Sequence, residues 1–255
     1  MAFAREGSHE DKKEENSNYK GAMFKPVLPV KNSTTLAGVE KSIINVKGVK
    51  EDPITWNTYC TGVIVEHAGI KYVLTGFLDT KDDDEENYDP LREVWKKEVV
   101  IENQKYNAVN KAVLPEYKLA LLEVADPEFQ EKAKPIEFGE TLSLRQDVCA
   151  IYYYLGMPNL VLNKGITHRD HGDDPAILRS DLLFVPAGAG LLPIFANNKL
   201  VGAGYCDFEH IGPRIIPPQY IQHFLNQAFD GKKLCSSMPV ANKPEAEEAI
   251  RPTLR

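Results

Sequence analysis

Short bursts of apolar and β-branched residues set the rhythm of this chain. They run from Ser42 to Lys47, Tyr59 to Glu66, Ile70 to Thr75, Val94 to Ile101, Leu119 to Val124, Val148 to Leu155, Leu160 to Thr167, Leu182 to Val185 and Leu200 to Tyr205. Gly, Pro, Asn or Asp separate them repeatedly. Runs of this length are strands, and many short strands divided by turn residues satisfy their backbone groups as an all-β sandwich or barrel. Val63-Ile64-Val65 and Tyr72-Val73-Leu74, joined across Glu66-His67-Ala68-Gly69, form an expected hairpin. One segment has another period: QYIQHFLNQAF, residues 219–229, spaces Tyr220, Ile221, Phe224, Leu225 and Phe229 helically after Pro217-Pro218. It predicts an amphipathic helix that closes the domain. Residues 125–140, ADPEFQEKAKPIEFGE, turn charged and proline-containing midway through the strands, which suits a link between two β units, a first barrel over 39–124 and a second over 141–216. The domain as a whole is expected over 39–235. Residues 1–38 and 236–255 are polar and short of aromatics, and read as flexible tails.

Among 255 residues, 43% are hydrophobic and 26% charged, the mixture of a globular protein able to bury a core. A formal net charge of −7 repels a polyanion, so nucleic acid is not the expected partner. No apolar run reaches the roughly 18 residues of a membrane-spanning helix, so no membrane partner is expected either. The opening MAFAREGSHEDKKEENSNYK has no apolar segment and mixes acids with bases, which points away from a secretory signal or transit peptide and towards a cytosolic or nuclear location. Cys60, Cys149, Cys206 and Cys235 lie far apart with no C-x-x-C pair, and read as reduced thiols.

Cofactor and metal motifs fail on inspection, so neither group is expected. Gly188-Ala189-Gly190 and Gly202-Ala203-Gly204 begin like a dinucleotide fingerprint, but the third glycine is Pro193 in one and Asp207 in the other. His168, Asp170, His171, Asp173 and Asp174 sit in a stretch that Gly172 and Pro175 make a loop, where a solvated turn is the better reading than a metal site.

The order of the bursts does match a known pattern. TGVIVEHAGIKYVLTGFLDT from Thr61 resembles the strand, hairpin and strand G-S-G-V-I-I and V-V-T-N-x-H-V-V of the HtrA/Deg (Do-like) trypsin-fold serine proteases. Tyr117-Lys118-Leu119-Ala120-Leu121-Leu122 resembles that family's T-D-L-A-L-L, and Lys164-Gly165-Ile166-Thr167 its S-G-I-V. RSDLLFVPAGAG, residues 179–190, resembles Q-T-D-A-A-I-N-P-G-N-S-G, and IGPRIIP, residues 211–217, is similar to G-I-G-F-A-I-P before the closing helix. The resemblance covers about residues 39 to 228. It implies two tandem six-stranded antiparallel β-barrels of the chymotrypsin/trypsin kind with a C-terminal helix.

The same resemblance shows what is changed. The family's general-base histidine falls on Leu78, its orienting aspartate on Lys118 and its nucleophilic serine on Ala189. A methyl group cannot attack a carbonyl, an isobutyl group accepts no proton, and an ammonium repels an imidazolium. Loss of the nucleophile or base alone costs about a factor of 10⁶ in rate. The oxyanion turn is altered too, its equivalents being Ala187, Gly188, Ala189 and Gly190, with Leu191 following. An inactive homologue, a pseudoprotease, is the expectation. It would act by binding a peptide or protein ligand in the cleft between its barrels, the way this fold takes an extended strand. Arg214 stands either in the wall of the primary pocket, favouring acidic ligands, or at its rim in water. The family's PDZ module is not expected, since about twenty polar residues follow Leu234. Two alternatives stay open: a serine-type endopeptidase with an unconventional nucleophile, for which Ser143, Ser180, Cys206, His67 and His210 are the nearest candidates, and a purely structural scaffold. The oligomeric state is not legible.

Overall fold

The computed structural model describes residues 38–51, 55–76, 96–114, 117–154, 156–169, 177–182, 191–205 and 213–229. Six strands, β1 (Ile43–Glu51), β2 (Thr55–His67), β3 (Ile70–Gly76), β4 (Lys96–Ile101), β5 (Gln104–Leu114) and β6 (Leu119–Glu123), close into a barrel in the order β1-β2-β3-β6-β5-β4. Six more, β7 (Asp147–Tyr153), β8 (Leu160–Arg169), β9 (Leu178–Ser180), β10 (Leu192–Ala196), β11 (Lys199–Tyr205) and β12 (Arg214–Ile216), close in the order β7-β8-β9-β12-β11-β10. Both rings therefore have one topology, with the first strand meeting the fourth and the third meeting the sixth. All pairings are antiparallel. The expected pair of six-stranded barrels is present, and the closing helix α2 (Pro218–Phe229) follows the second.

The hairpins close on turn chemistry written in the sequence. Ala68-Gly69, Glu102-Asn103 and Asn197-Asn198 connect β2 to β3, β4 to β5 and β10 to β11, and all six residues have positive φ, between 49° and 79°. Paired positive φ values give the two-residue turn whose twist matches that of antiparallel strands. Along β5, Tyr106 and Ala108 are buried while Lys105 and Asn107 are exposed, the alternation of a strand with one face inward.

Three apolar clusters fill the molecule. Ile44, Val46, Ile64, Val73, Val99, Tyr106 and Leu122 fill the first barrel. Val148, Ala150, Tyr152, Leu192, Ile194 and Ile215 fill the second. The third lies between them: Val63, Val65 and Leu74 of the first barrel meet Ile151, Phe195 and Leu200 of the second and Tyr220, Ile221, Phe224 and Leu225 of α2. That division explains why β2 and β3 are apolar on both faces, since one face fills the barrel and the other the junction. In β2, Gly62 is required by space. A Cβ there would sit 2.6 Å from Val73 Cγ1 and 2.8 Å from Val46 Cγ2.

The stretch between the barrels carries a short helix, α1 (Pro127–Lys132), which was not expected. Asp126 caps it, its Oδ1 accepting from the Glu128 N–H at 2.8 Å, and Pro127 occupies the first turn. Phe129 is fully buried, its ring edge-on to Tyr106 at 5.6 Å, so the helix plugs the first barrel. The Gln130 amide exchanges hydrogen bonds with the Lys71 N–H and carbonyl, both 2.8 Å, and donates to the Val124 carbonyl at 2.9 Å. The following connector touches both barrels. Ile136 N–H donates to the Ile64 carbonyl at 2.9 Å, Leu200 N–H to the Glu137 carbonyl at 2.9 Å, and Gly139 N–H to the Leu200 carbonyl at 2.8 Å. Of the expected tails, residues 1–38 and 236–255, all but Gly38 lie outside the described residues.

Candidate functional site

A hydrogen bond fixes one barrel against the other. Thr61 in β2 is fully buried, and its Oγ1 accepts the Tyr153 N–H of β7 at 2.9 Å. The Thr61 carbonyl accepts from Thr75 Oγ1, also at 2.9 Å, which holds the threonine from within the first barrel. Three tyrosines gather where the two barrels and α2 meet. Tyr117, on the turn into β6, packs edge-on against Tyr205 at the end of β11 (6.5 Å, 87°) and against Tyr220 of α2 (6.3 Å, 70°). Edge-to-face packing aims the positive rim of one ring at the negative face of the next. Arg214 lies directly opposite Tyr205 in the β11–β12 ladder, its guanidinium carbon 5.9 Å from the ring centroid, within reach of a cation–π contact.

Two residues singled out from the sequence adjoin this cluster. Lys118 follows Tyr117 and is exposed, in a left-handed turn with φ 51°, immediately before the fully buried Leu119. Arg214 is half-buried on the opposite side, against Tyr205. Leu78, Ala187, Gly188, Ala189 and Gly190 lie outside the described residues; Leu191, just after them, is only 2% exposed and belongs to the core between the barrels.

The register also places a residue that the sequence reading passed over. Arg179 in β9 is directly opposite Arg214 in β12, and it is buried, at 5% exposure. No local pattern marks Arg179; only the pairing of strands 35 positions apart brings the two arginines together. Tyr117 and Tyr205 had a signal, since one precedes and the other ends an apolar burst, but burst ends are common; Tyr220 was marked only by the helical period.

Of the alternative nucleophiles and bases, Ser143, Ser180 and His67 are among the described residues. Ser180 is fully buried, and among the described residues its hydroxyl has no hydrogen-bond partner. Ser143 lies in a turn whose carbonyl accepts from Thr167 Oγ1 at 2.5 Å. His67 stacks on Phe229 (4.0 Å, 7°), and His168 Nδ1 lies 3.3 Å from the Arg169 carbonyl. Burial pushes the Cys149 thiol up to about 11 and the Cys60 thiol up to about 12, so neither is a ready thiolate. Cys206, His210, His171 and the aspartates near it lie outside the described residues. Among the described residues no three His, Cys, Asp or Glu side chains gather as metal ligands would. An open groove of about 720 Å³ lies between the connector and the β10–β11 hairpin, lined among others by Phe138, Leu144, Asn197 and Val201.

No family model matches the chain. Three proteins of Arabidopsis thaliana do. The chain is 32% identical over 133 residues to "Putative protease Do-like 13", a match of 48% of this chain and 27% of that protein. It is 30% identical over 131 residues to "Putative protease Do-like 3, mitochondrial" (48% and 23%) and 32% identical over 131 residues to "Protease Do-like 4, mitochondrial" (48% and 25%). The match thus spans about a quarter of each relative's length. Among the described residues no helix is long and apolar enough to cross a membrane. Similarity over about half the chain and a tandem of closed six-stranded barrels both relate this protein to the Do-like proteases of the trypsin-like fold.

Proposed function

We propose that this chain is a Do-like, trypsin-fold protein that binds an extended peptide or protein segment at the junction of its barrels and does not cleave it. The reading is carried by Lys118. By resemblance it stands where the family's orienting carboxylate stands, and it is a cation on an exposed left-handed turn. An ammonium there disfavours the imidazolium that general-base catalysis creates. Leu78 and Ala189 at the other two matched positions add the same argument from composition alone: neither side chain transfers a proton or attacks a carbonyl. The junction surface supports binding. Half-buried Tyr117 and Tyr205, backed from the core by buried Tyr220, offer with Arg214 aromatic area of low rotamer entropy and a cation, which are the side chains enriched where binding energy concentrates.

The test is incubation of the purified chain with a fluorophosphonate probe and with unfolded casein. Neither labelling nor cleavage is expected. Labelling or cleavage that one substitution abolishes would replace this reading with that of a working endopeptidase with an unconventional nucleophile, which the names of the relatives, all called proteases, favour. Partners retained after a bulky residue is placed near Ala189 would favour the scaffold reading instead. The location proposed is cytosolic or nuclear, and imaging of a fluorescent fusion in mitochondria would refute it.

A further inference from the structure

We infer that the groove between the connector and the β10–β11 hairpin is a second binding site, one for an organic cation: an ammonium on an apolar stem, as in an alkylamine or a lysine side chain. It is independent of the role proposed for the junction, and none of the tyrosines or arginines there lines it. At about 720 Å³ it has the size of a small-molecule site. Three separate segments wall it. The connector supplies Phe138 and Glu140, the turn before β7 supplies Ser143 and Leu144, and the β10–β11 hairpin supplies Asn197 and Val201. Each wall is fixed within the chain. The Gly139 N–H donates to the Leu200 carbonyl at 2.8 Å, and a Cβ at Gly139 would meet Val201 Cγ1 at 2.6 Å, so the connector lies on β11 as closely as a backbone can. In the turn, the Arg145 N–H donates to the Thr167 carbonyl at 2.8 Å and the Gln146 N–H to Thr167 Oγ1 at 2.9 Å. The hairpin closes on the positive-φ pair Asn197-Asn198. A groove built in advance loses little freedom when it is filled.

The charge of the lining selects a cation. Lys199, its one basic residue, is paired with Glu137 at 3.3 Å. Glu140 has no such partner among the described residues, and neither the Asn197 side chain nor the Ser143 hydroxyl is hydrogen-bonded among them. An ammonium has three donors and no acceptor. One carboxylate and two neutral oxygens match that count, and the bond to the carboxylate is charge-assisted. An anion would meet Glu140 while the lining's cation is already committed. Leu144, 47% exposed, and half-buried Phe138 give the stem an apolar surface to lie on.

The test titrates hexylammonium into the isotope-labelled full chain at constant ionic strength, with hexanol and hexanoate as its uncharged and anionic counterparts. Acetyl-Leu-Lys-Leu-amide and acetyl-Leu-Gln-Leu-amide form the peptide arm. Saturable amide shifts are expected at Gly139, Ser143 and Asn197. Hexylammonium should bind about two- to fivefold more tightly than hexanol, the range of an exposed ion pair, and hexanoate more weakly than either. Glu140→Gln, at an exposed position, should erase that ratio without moving distant amides, and Leu144→Ser should weaken both hexyl probes about threefold. If Glu140→Gln does not fold, the ratio in the wild-type chain decides. Saturation by hexylammonium and not by the lysine peptide would support the site with a free amine as its ligand; saturation by the lysine peptide alone would support it with a lysine side chain. Shifts that never saturate, equal affinities for ammonium and hexanol, or a ratio that survives Glu140→Gln would overturn the site and leave peptide binding at the junction untouched.

Discussion

Thr61→Val removes one atom from the seam between the barrels. The side chain is fully buried and valine has its shape, so packing is kept while the acceptor of the Tyr153 N–H is lost. An unsatisfied buried N–H costs about 1–3 kcal/mol. Greater apolar transfer of the new methyl offsets up to about 0.8 kcal/mol of that, so a cost at the middle of the range, about 2 kcal/mol, leaves a net loss of about 1–2 kcal/mol. For a domain of this size each kcal/mol moves Tm by about 2–4 °C, so the variant should melt about 2–8 °C lower. Thermal and urea unfolding measure the loss, and amide hydrogen exchange at Tyr153 locates it. Thr75→Val serves as the control: it removes a hydroxyl that donates to the Thr61 carbonyl inside the first barrel, so it should destabilise while leaving Tyr153 protected. A Thr61→Val protein with Tm within about 1 °C of wild type and an equally protected Tyr153 amide would show that this hydroxyl does not couple the barrels.

Phe129→Ala should cost about 3–5 kcal/mol by opening a cavity under α1, and Gln130→Leu about 1–3 kcal/mol by orphaning Lys71 and Val124 backbone groups; a urea midpoint unchanged in either would sink the role given to α1. Cys60 and Cys149 should resist iodoacetamide at pH 8 in the native state and react on unfolding. For Cys60 the folded thiol, pushed from 9.0 up to about 12, holds its proton where the unfolded one has lost it. Its contribution is thus complete below pH 9 and is lost as pH rises towards 12, with a slope of at most about 1.4 kcal/mol per pH unit; Cys60→Ala should flatten the alkaline decline, and an unaltered decline would refute the assignment. The triple variant Leu78→His, Lys118→Asp and Ala189→Ser should digest casein no faster than wild type. Ala187 and Leu191 also depart from the oxyanion turn, and Leu191 is anchored in the core. Robust proteolysis would show the turn to be competent.

The barrels were legible where strands carried strong apolar residues and turns carried positive-φ residues. β2, β3 and the turn at Ala68-Gly69 follow from both signals. β5 escaped notice because its inward positions include Ala108 and Ala112 while its outward ones include Val109 beside lysine and asparagine, so its alternation is weak in hydrophobicity. Helix α1 has six residues and one buried apolar side chain, too few for a period; its legible mark was Asp126-Pro127, a cap and a first-turn proline. Of the site, Lys118 and Arg214 could be picked out by comparing residue types with a pattern. Arg179 could not, because its significance arises from register between distant strands, and register is a tertiary property.

The connector through Ile136, Glu137 and Gly139 is stitched to β2 on one side and β11 on the other. A joint that swings needs slack, and this one has its backbone amides committed at both ends. On the binding role proposed above, the two halves would grip a ligand as a fixed vice rather than a closing jaw. Adaptation to different peptides would then fall to side-chain rotamers along the rim, with selectivity set before the ligand arrives.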